Sequence, residues 1–154
     1  DHVETARLVE LAKVDLAELP TSSSLTSAPK SMPFVAADSC AGCHPGQSAQ
    51  WKQTPHATAW NTLVAENRHT DLDCFGCHAT GAMHPEGPTT PAEVGSLGGV
   101  QCEACHGPGR DHVAAPSAQN VVKVPEEALC TDCHDGVRDE GRYEHAAYLE
   151  RVRH

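Results

Sequence analysis

Apolar residues recur at helical spacing in the first part of the chain. Over residues 1–19 they share one helical face, charged residues lie off that face, and Pro20 follows directly. The apolar positions are Leu8, Val9, Ala12, Leu16 and Leu19. Such spacing predicts an amphipathic helix, and a proline ends one. We therefore predict a helix over residues 1–19, a Ser/Pro-rich linker over residues 20–36 and a main domain over residues 37–154.

A second helix is predicted early in the main domain. Thr54 and Pro55 precede a run of helix-forming residues that begins with His56. Thr is a preferred N-cap residue, and proline is favoured at the first helical position. This arrangement predicts a helix that starts here and carries His56 in its first turn.

Further along the chain, proline, glycine and serine interrupt the pattern. Residues 84–99 and 115–128 are rich in these residues and are predicted to be loops. Helical spacing returns near the C terminus around His145, with Arg151 and Arg153 placed to complement a helix C-terminal dipole. Strand signals are few. The predicted fold class is mainly α with long loops and little or no sheet.

Composition raises the question of what fills the centre of this domain. Of 154 residues only 39% are hydrophobic, with two Trp, two Tyr and two Phe, but eight are cysteines. Every cysteine belongs to a CxxC pair, and a histidine follows each pair directly. The pairs are Cys40/Cys43, Cys74/Cys77, Cys102/Cys105 and Cys130/Cys133, and the histidines are His44, His78, His106 and His134.

Three chemistries use CxxC pairs, and the histidine distinguishes them. A zinc ribbon uses two pairs on one metal and does not require a histidine after each. A redox disulfide is typical of a thioredoxin-like βαβ unit, which the pattern does not contain. CxxCH is the form of covalent c-type haem attachment, in which two thiols bind one porphyrin and the histidine is the proximal iron ligand. Four motifs predict four covalent haem c groups, whose apolar surface replaces a conventional core.

The remaining histidines are candidates for the opposite side of each iron. Four of the 11 histidines follow CxxC pairs, which leaves seven (11 − 4). The distal candidates are His56, His112, His84, His145 and His69. His84 and His112 each lie six residues after a motif histidine, too close to reach round the same porphyrin, so each is expected to bind a neighbouring haem. Met83 is an alternative ligand.

Two further histidines lie near the chain ends. We expect His2 and His154 to bind iron only if another subunit's haem is involved. Trp51 and Trp60 either pack against porphyrin edges or fill the core. The charged residues around the third motif, which are Glu103, Arg110 and Asp111, are expected on the solvated surface.

Charge and hydropathy restrict the partners and the location. The formal net charge is −10 before the haem propionates are counted, which makes nucleic acid an unsuitable partner and favours redox proteins with basic docking surfaces. The acidic surface also has a simpler interpretation, which is solubility. No apolar run approaches the roughly 18 residues of a membrane span. Because haem attachment occurs outside the cytoplasm, we expect a removed leader before Asp1 and a periplasmic or extracellular location.

The motif sequences also resemble a known family. "SCAGCHPGQSAQWKQTPHATAW", "DCFGCHATG", "GVQCEACHGPGRDHV" and "LCTDCHD" are similar to the tetrahaem cytochrome c554 family over about residues 38–135. The resemblance implies a mostly helical multihaem cytochrome c fold wrapped around four stacked haems. It also implies the pairs His56 with His106, His112 with His44 and His84 with His134. The second haem, on His78, would lack a distal ligand unless His69 or His145 supplies one.

The sequence therefore predicts an electron-transfer protein rather than an enzyme. The expected function is electron relay through four mostly bis-histidine haems between redox partners. One alternative is an enzyme that reduces a small nitrogen oxide at an open second haem. The others are a self-associating subunit of a haem filament and a redox tail of a larger enzyme.

Overall fold

The computed structural model describes residues 31–154. The helix predicted over residues 1–19 and the first part of the predicted linker lie outside the described residues. Residues Met32–His154 form one structural unit.

The described unit is built from short helices joined by long loops. The α-helices are α1 (Asp38–Ala41), α2 (Pro45–Trp51), α3 (Pro55–Ala65), α4 (Leu72–His78), α5 (Cys102–His106), α6 (Arg110–Ala114), α7 (Glu127–Thr131) and α8 (His145–Val152). Two 3₁₀ turns, Pro91–Glu93 and Gly95–Leu97, lie in the loop between α4 and α5. Residues 31–154 contain no strand, only isolated bridges from Ala79 to Gly98 and Gly99. The predicted class, mainly α with long loops and little or no sheet, is confirmed.

The helix predicted after Thr54 is present as α3. Pro55 occupies its first position, and Thr54 has the extended backbone of an N-cap residue. The Thr54 hydroxyl donates to the Trp51 carbonyl at 2.7 Å and makes no capping bond within α3. It therefore ties the end of α2 to the start of α3. His56 lies in the first turn, as predicted.

The apolar core is small and divided. One cluster contains Phe34, Ala36 and Leu97, with Met32 packed against it. A second cluster contains Phe75, Ala79 and Val94, with Trp60 and Ala82 packed against it. Clusters of three buried residues supply little of the apolar burial that stabilises ordinary domains.

Buried polar side chains connect the loops between these clusters. Thr80 and Gln101 are 1% and 5% exposed. The Thr80 hydroxyl donates to the Gly99 carbonyl at 2.7 Å and accepts from the Gln101 amide at 2.9 Å. The Gln101 side chain accepts from the Ala37 amide at 2.6 Å and donates to the Ser96 carbonyl at 2.7 Å. Buried backbone groups need such partners, and these bonds fix the backbone that leads into the third motif.

The packed unit begins earlier than the sequence predicted. Residues 32–36 were assigned to the linker, yet Phe34 and Ala36 are buried, and the Pro33 carbonyl accepts a bond from the Arg110 amide at 3.1 Å. Residues 32–36 therefore belong to the main unit. Composition misled here because the Ser/Pro-rich stretch runs without a break into this buried segment.

Membrane insertion was tested on the same described residues. None of the helices within residues 31–154 has the length and apolar content needed to cross a bilayer.

Candidate haem-binding sites

All four CxxCH motifs lie at helix ends and share one local geometry. The third motif is the whole of α5, and the second occupies the last turn of α4. In the first and fourth motifs, the His44 and His134 amides donate to the carbonyls of Cys40 and Cys130, each at 2.9 Å. Helical spacing of three and four residues places both thiols and the imidazole on one side of the turn. That is the arrangement that two thioether bonds and one axial ligand to a single porphyrin require.

The cysteines are available for this chemistry. All eight are free thiols, and no group of three or more metal-ligating side chains that could hold a metal ion occurs within residues 31–154. A disulfide framework is therefore not formed, and the zinc alternative has no compact ligand cluster in the described unit.

Cys43 differs from the other seven cysteines in its exposure. The sequence predicts haem attachment at Cys43 together with Cys40, as at the other pairs, yet Cys43 is exposed whereas the other seven cysteines are partly buried. The physical reason is its position, since α1 ends at Ala41 and residues 42–47 all lie at the surface. The polypeptide thus encloses the first attachment site less than the others. Attachment at Cys43 stays a prediction, in which the porphyrin and not the chain would cover this thiol.

Three pairs of histidine rings lie at similar centroid separations. The ring centroids are 6.3 Å apart for His44 and His112, 6.2 Å for His56 and His134, and 5.8 Å for His106 and His154. Two imidazoles bonded at about 2 Å on opposite sides of one metal ion have centroids about 6 Å apart. Each pair joins a motif histidine to a histidine outside the motifs. The spacing fits an iron ion between the rings, so the residues present fit a haem group.

The partners differ in part from those implied by the family resemblance. His112 lies opposite His44, as the resemblance implied. His56 lies opposite His134 and not opposite His106. His154, which we expected to bind only a haem of another subunit, lies opposite His106 of its own chain.

Hydrogen bonds orient several of these rings by their Nδ1 atoms. The Nδ1 atoms of His106 and His154 lie 2.6 Å and 3.0 Å from the carbonyls of Val122 and Val152. His112 Nδ1 lies 2.9 Å from the Ser117 carbonyl. A carbonyl partner fixes the proton on Nδ1 and leaves Nε2 as the lone-pair donor, which is the hydrogen-bond pattern typical of metal-bound histidines. These rings are therefore prepared for coordination through Nε2.

Burial also distinguishes the His56 pair. Desolvation lowers the pKa of His56 from its ordinary value, and the facing His134 lowers it further. Both effects favour the neutral imidazole, which is the form that binds a metal.

His78, of the second motif, has no facing ring. Its Nδ1 lies 2.7 Å from the Ala59 carbonyl, so it is oriented like the other motif histidines. Within residues 31–154 no aromatic or histidine ring is set against it at the spacing of the three pairs. The structure thus supplies one axial ligand for this motif from the described residues.

Three candidate distal ligands have other surroundings. His84 accepts from the Glu86 amide at 3.1 Å and contacts Phe34 edge-on at 5.3 Å. His145 Nδ1 lies 2.7 Å from the Tyr143 hydroxyl. None of the three, which are His84, His145 and His69, faces a motif histidine, and iron ligation by them stays a prediction.

Hydrogen bonds between cysteines join the motifs in two pairs. The thiols of Cys40 and Cys102 are hydrogen-bonded; burial raises the pKa of Cys40 to about 11, and Cys102 adds to the effect. The thiols of Cys77 and Cys133 are likewise hydrogen-bonded, and burial followed by the effect of Cys77 raises the pKa of Cys133 to about 12. The first motif therefore adjoins the third, and the second adjoins the fourth.

Glu103 is a residue whose role the sequence analysis missed. It was expected on the solvated surface, which is wrong because only 4% of it is exposed. Its carboxylate accepts from the amides of Val35 at 2.9 Å, Ala36 at 2.8 Å and Gly109 at 2.7 Å. It thus joins the start of the unit to the turn that leads to His112. The available signal was its position at the start of a short helix, within reach of the amides of the glycine-rich turn that follows.

Aromatic rings surround the fourth motif. Tyr143 stacks on His134 at 5.2 Å with planes 13° apart, and Tyr148 meets the same ring edge-on at 5.1 Å. Arg151 lies 5.3 Å over the Tyr148 ring, a favourable cation–π distance. The two tyrosine contacts restrict the orientation of the His134 ring.

Comparison with known proteins gave two matches and one negative result. Residues 39–107 match the family described as cytochrome c554 and c-prime. Cytochrome c-554 of Nitrosomonas europaea is 36% identical over 83 residues, which cover 44% of this chain and 35% of that protein. The matched part therefore spans about a third of the relative's length. No solved structure gave a significant match. The resemblance found in the motif sequences is confirmed over the matched segment.

Proposed function

We propose, from the premise that residues 39–107 belong to the cytochrome c554 family, that this chain carries four covalent haem c groups and relays electrons between redox partners. The observation that carries the proposal is the set of three histidine pairs, each joining a motif histidine to a second histidine across about 6 Å. When bound, haem supplies an iron centre that accepts and releases one electron.

The chain's own residues would hold each group from two directions. The cysteines of each motif form the thioether bonds, and His44, His78, His106 and His134 are the proximal ligands. His112, His56 and His154 are the distal ligands for the first, fourth and third haems. Each distal ligand comes from a different part of the chain than the motif it serves, so binding fastens separate loops together.

Adjacent motifs support the relay. Because the sulfur atoms of Cys40 and Cys102 are neighbours, as are those of Cys77 and Cys133, attachment points of different haems adjoin. Electron transfer between fixed cofactors requires that the cofactors lie close together. The polypeptide contributes ligand identity, burial and spacing to this function.

Imidazole on both sides of the iron favours low reduction potentials. A thioether in place of one imidazole would raise the potential, but Met83 is 57% exposed. The net charge of −10 favours partners with basic docking surfaces. We place the protein in the periplasm or outside the cell, where covalent haem attachment occurs.

A haem assay combined with electron paramagnetic resonance tests the proposal. We expect about four haems per chain and low-spin signals from the three paired sites in the oxidised protein. Fewer than four haems would contradict the tetrahaem assignment. High-spin signals from two or more sites would contradict the histidine pairs.

One observation supports a second candidate function. No ring within the described unit faces His78, so the second haem could keep an open position where a small molecule such as a nitrogen oxide is bound and reduced. Carbon monoxide binding to about one haem in four would support this site. Complete lack of binding would exclude it and would require a distal ligand for the second haem.

A further inference from the structure

A carboxylate lies beside the fourth motif histidine and has no other partner for one of its oxygens. Asp139 Oδ2 is 3.7 Å from His134 Nδ1, and the Asp139 side chain is only 10% exposed. That oxygen is buried without a hydrogen bond, whereas Oδ1 accepts from the Gly141 amide at 3.0 Å. Buried polar atoms without a partner are rare and costly. His134 Nδ1 is the group that the structure pairs with Oδ2, at a separation longer than a hydrogen bond.

The surrounding residues fix this orientation from both sides. Tyr143 stacks on His134 with planes 13° apart and Tyr148 meets it at 80°, which restricts rotation of the imidazole. On the other side, Glu140 has a φ of +58° and Gly141 a φ of +67°. A non-glycine residue rarely adopts such a backbone, so the turn that presents Asp139 is held in an uncommon conformation.

The other oriented rings have neutral partners. His78 and His106, the second and third motif histidines, place Nδ1 against the carbonyls of Ala59 and Val122. Only His134 among these has a carboxylate. A carboxylate draws the Nδ1 proton toward itself more strongly than a carbonyl does, so the imidazole becomes a stronger donor to its metal.

We propose that Asp139 is a positioning residue that accepts the His134 Nδ1–H bond and thereby lowers the reduction potential of the haem attached at Cys130 and Cys133. A stronger imidazole donor stabilises ferric iron over ferrous iron, so this haem is harder to reduce than it is with a neutral partner. The inference rests on the proposed function, because it needs a haem at the fourth motif.

The test is a spectroscopic redox titration of the holoprotein and of Asp139→Asn. Asparagine keeps the shape and removes the charge. We expect one of the haem transitions to move to higher potential and one low-spin resonance signal to shift, while the others stay unchanged. Glu140→Gln is the matched control, since it removes one charge from the next residue, whose side chain is 78% exposed. It should shift neither readout.

The outcomes separate this inference from the proposed function. A wild-type protein without haem at the fourth motif would contradict both. A wild-type protein with four haems, together with unchanged transitions and signals in Asp139→Asn, would overturn only the role of Asp139. A shift of equal size in Glu140→Gln would also overturn it, because the cause would be general surface charge.

If Asp139→Asn fails to retain its fourth haem, its potential cannot be measured, and a second variant then tests the proposal. Asp139→Glu retains a carboxylate that can reach Nδ1, so we expect the fourth haem to titrate close to its wild-type potential. A rise in potential in this variant would overturn the proposal.

Discussion

The third and fourth motifs are held in place by different means. The third motif, α5, is joined to its surroundings by the buried carboxylate of Glu103, whose bonds reach Val35, Ala36 and Gly109. Neither α7 nor α8, the helices around the fourth motif, contains a buried residue. There the contacts are two tyrosine rings packed against His134, one stacked and one edge-on.

The difference indicates which part of the protein depends on its cofactor. Hydrogen bonds to backbone amides specify the third motif through the polypeptide itself. The bonds of this kind after the fourth motif are local, since Asp135 accepts from the amides of Val137 and Arg138. The geometry of the fourth motif therefore depends more on the haem that its cysteines and histidine would hold. Four predictions examine this contrast, from the largest expected effect to the smallest.

Removing the Glu103 carboxylate should have the largest effect. In Glu103→Ala the buried amides of Val35, Ala36 and Gly109 lose their acceptor, so we expect the free energy of unfolding to fall by about 3–5 kcal/mol. The measurement is denaturant unfolding of the holoprotein. Asp111→Ala, at an exposed position close by, should change it little. A small effect of Glu103→Ala would mean that the haems and not the carboxylate hold this region.

Removing His154 should break the contact between the C-terminal segment and the third motif. His154 follows α8, yet its ring faces His106 of the third motif. In His154→Ala one haem should change from low-spin to high-spin, which resonance spectroscopy of the oxidised protein detects. Arg153→Ala is the control, because it truncates the adjacent, 68% exposed side chain and removes no imidazole. An unchanged spectrum for His154→Ala would remove His154 from the ligand set.

Adding a methyl group at Gly98 should disturb the packing of the loop that precedes the third motif. A Cβ added at Gly98 would lie 2.8 Å from Trp60 Cδ1, so Gly98→Ala should reduce the free energy of unfolding by about 1–3 kcal/mol. Gly46 in α2 has nothing within 4 Å of an added Cβ. Gly46→Ala should therefore be neutral or stabilising by up to about 1 kcal/mol. Equal effects of the two substitutions in denaturant unfolding would contradict the close packing at Gly98.

The smallest effect is expected at the fourth motif. Tyr143→Phe removes the hydroxyl bonded to His145 but keeps the ring stacked on His134, so the free energy of unfolding should fall by about 0.5–1.5 kcal/mol. Tyr148→Phe keeps its ring contact in the same way and removes a hydroxyl for which the described unit shows no bond. It should be neutral. If the free energy of unfolding falls by more than about 3 kcal/mol in Tyr143→Phe, the hydroxyl must belong to a buried polar network like the one around Glu103.

The sequence predicted the local features of this protein well. The helical class and the start of α3 at Pro55 both depend on residues within one or two helical turns. Proline at the first helical position and the CxxCH spacing act over that range, so they are readable without a structure. The exposure of Cys43 could not be predicted from the sequence. The four motifs share one CxxCH pattern, and that pattern does not indicate how much of the polypeptide packs over each motif.

The tertiary structure decided which distant residues meet. His56 faces His134, and His154 faces His106, although nothing in the sequence near either residue specifies its partner. Glu103 is buried because residues 33–36 fold back over α5, which no local pattern indicates. The chemistry available at each motif is thus set by short-range spacing. The pairing of histidine rings and the burial of side chains depend instead on the path of the chain over residues 31–154, because contacts between segments far apart in sequence form only on folding.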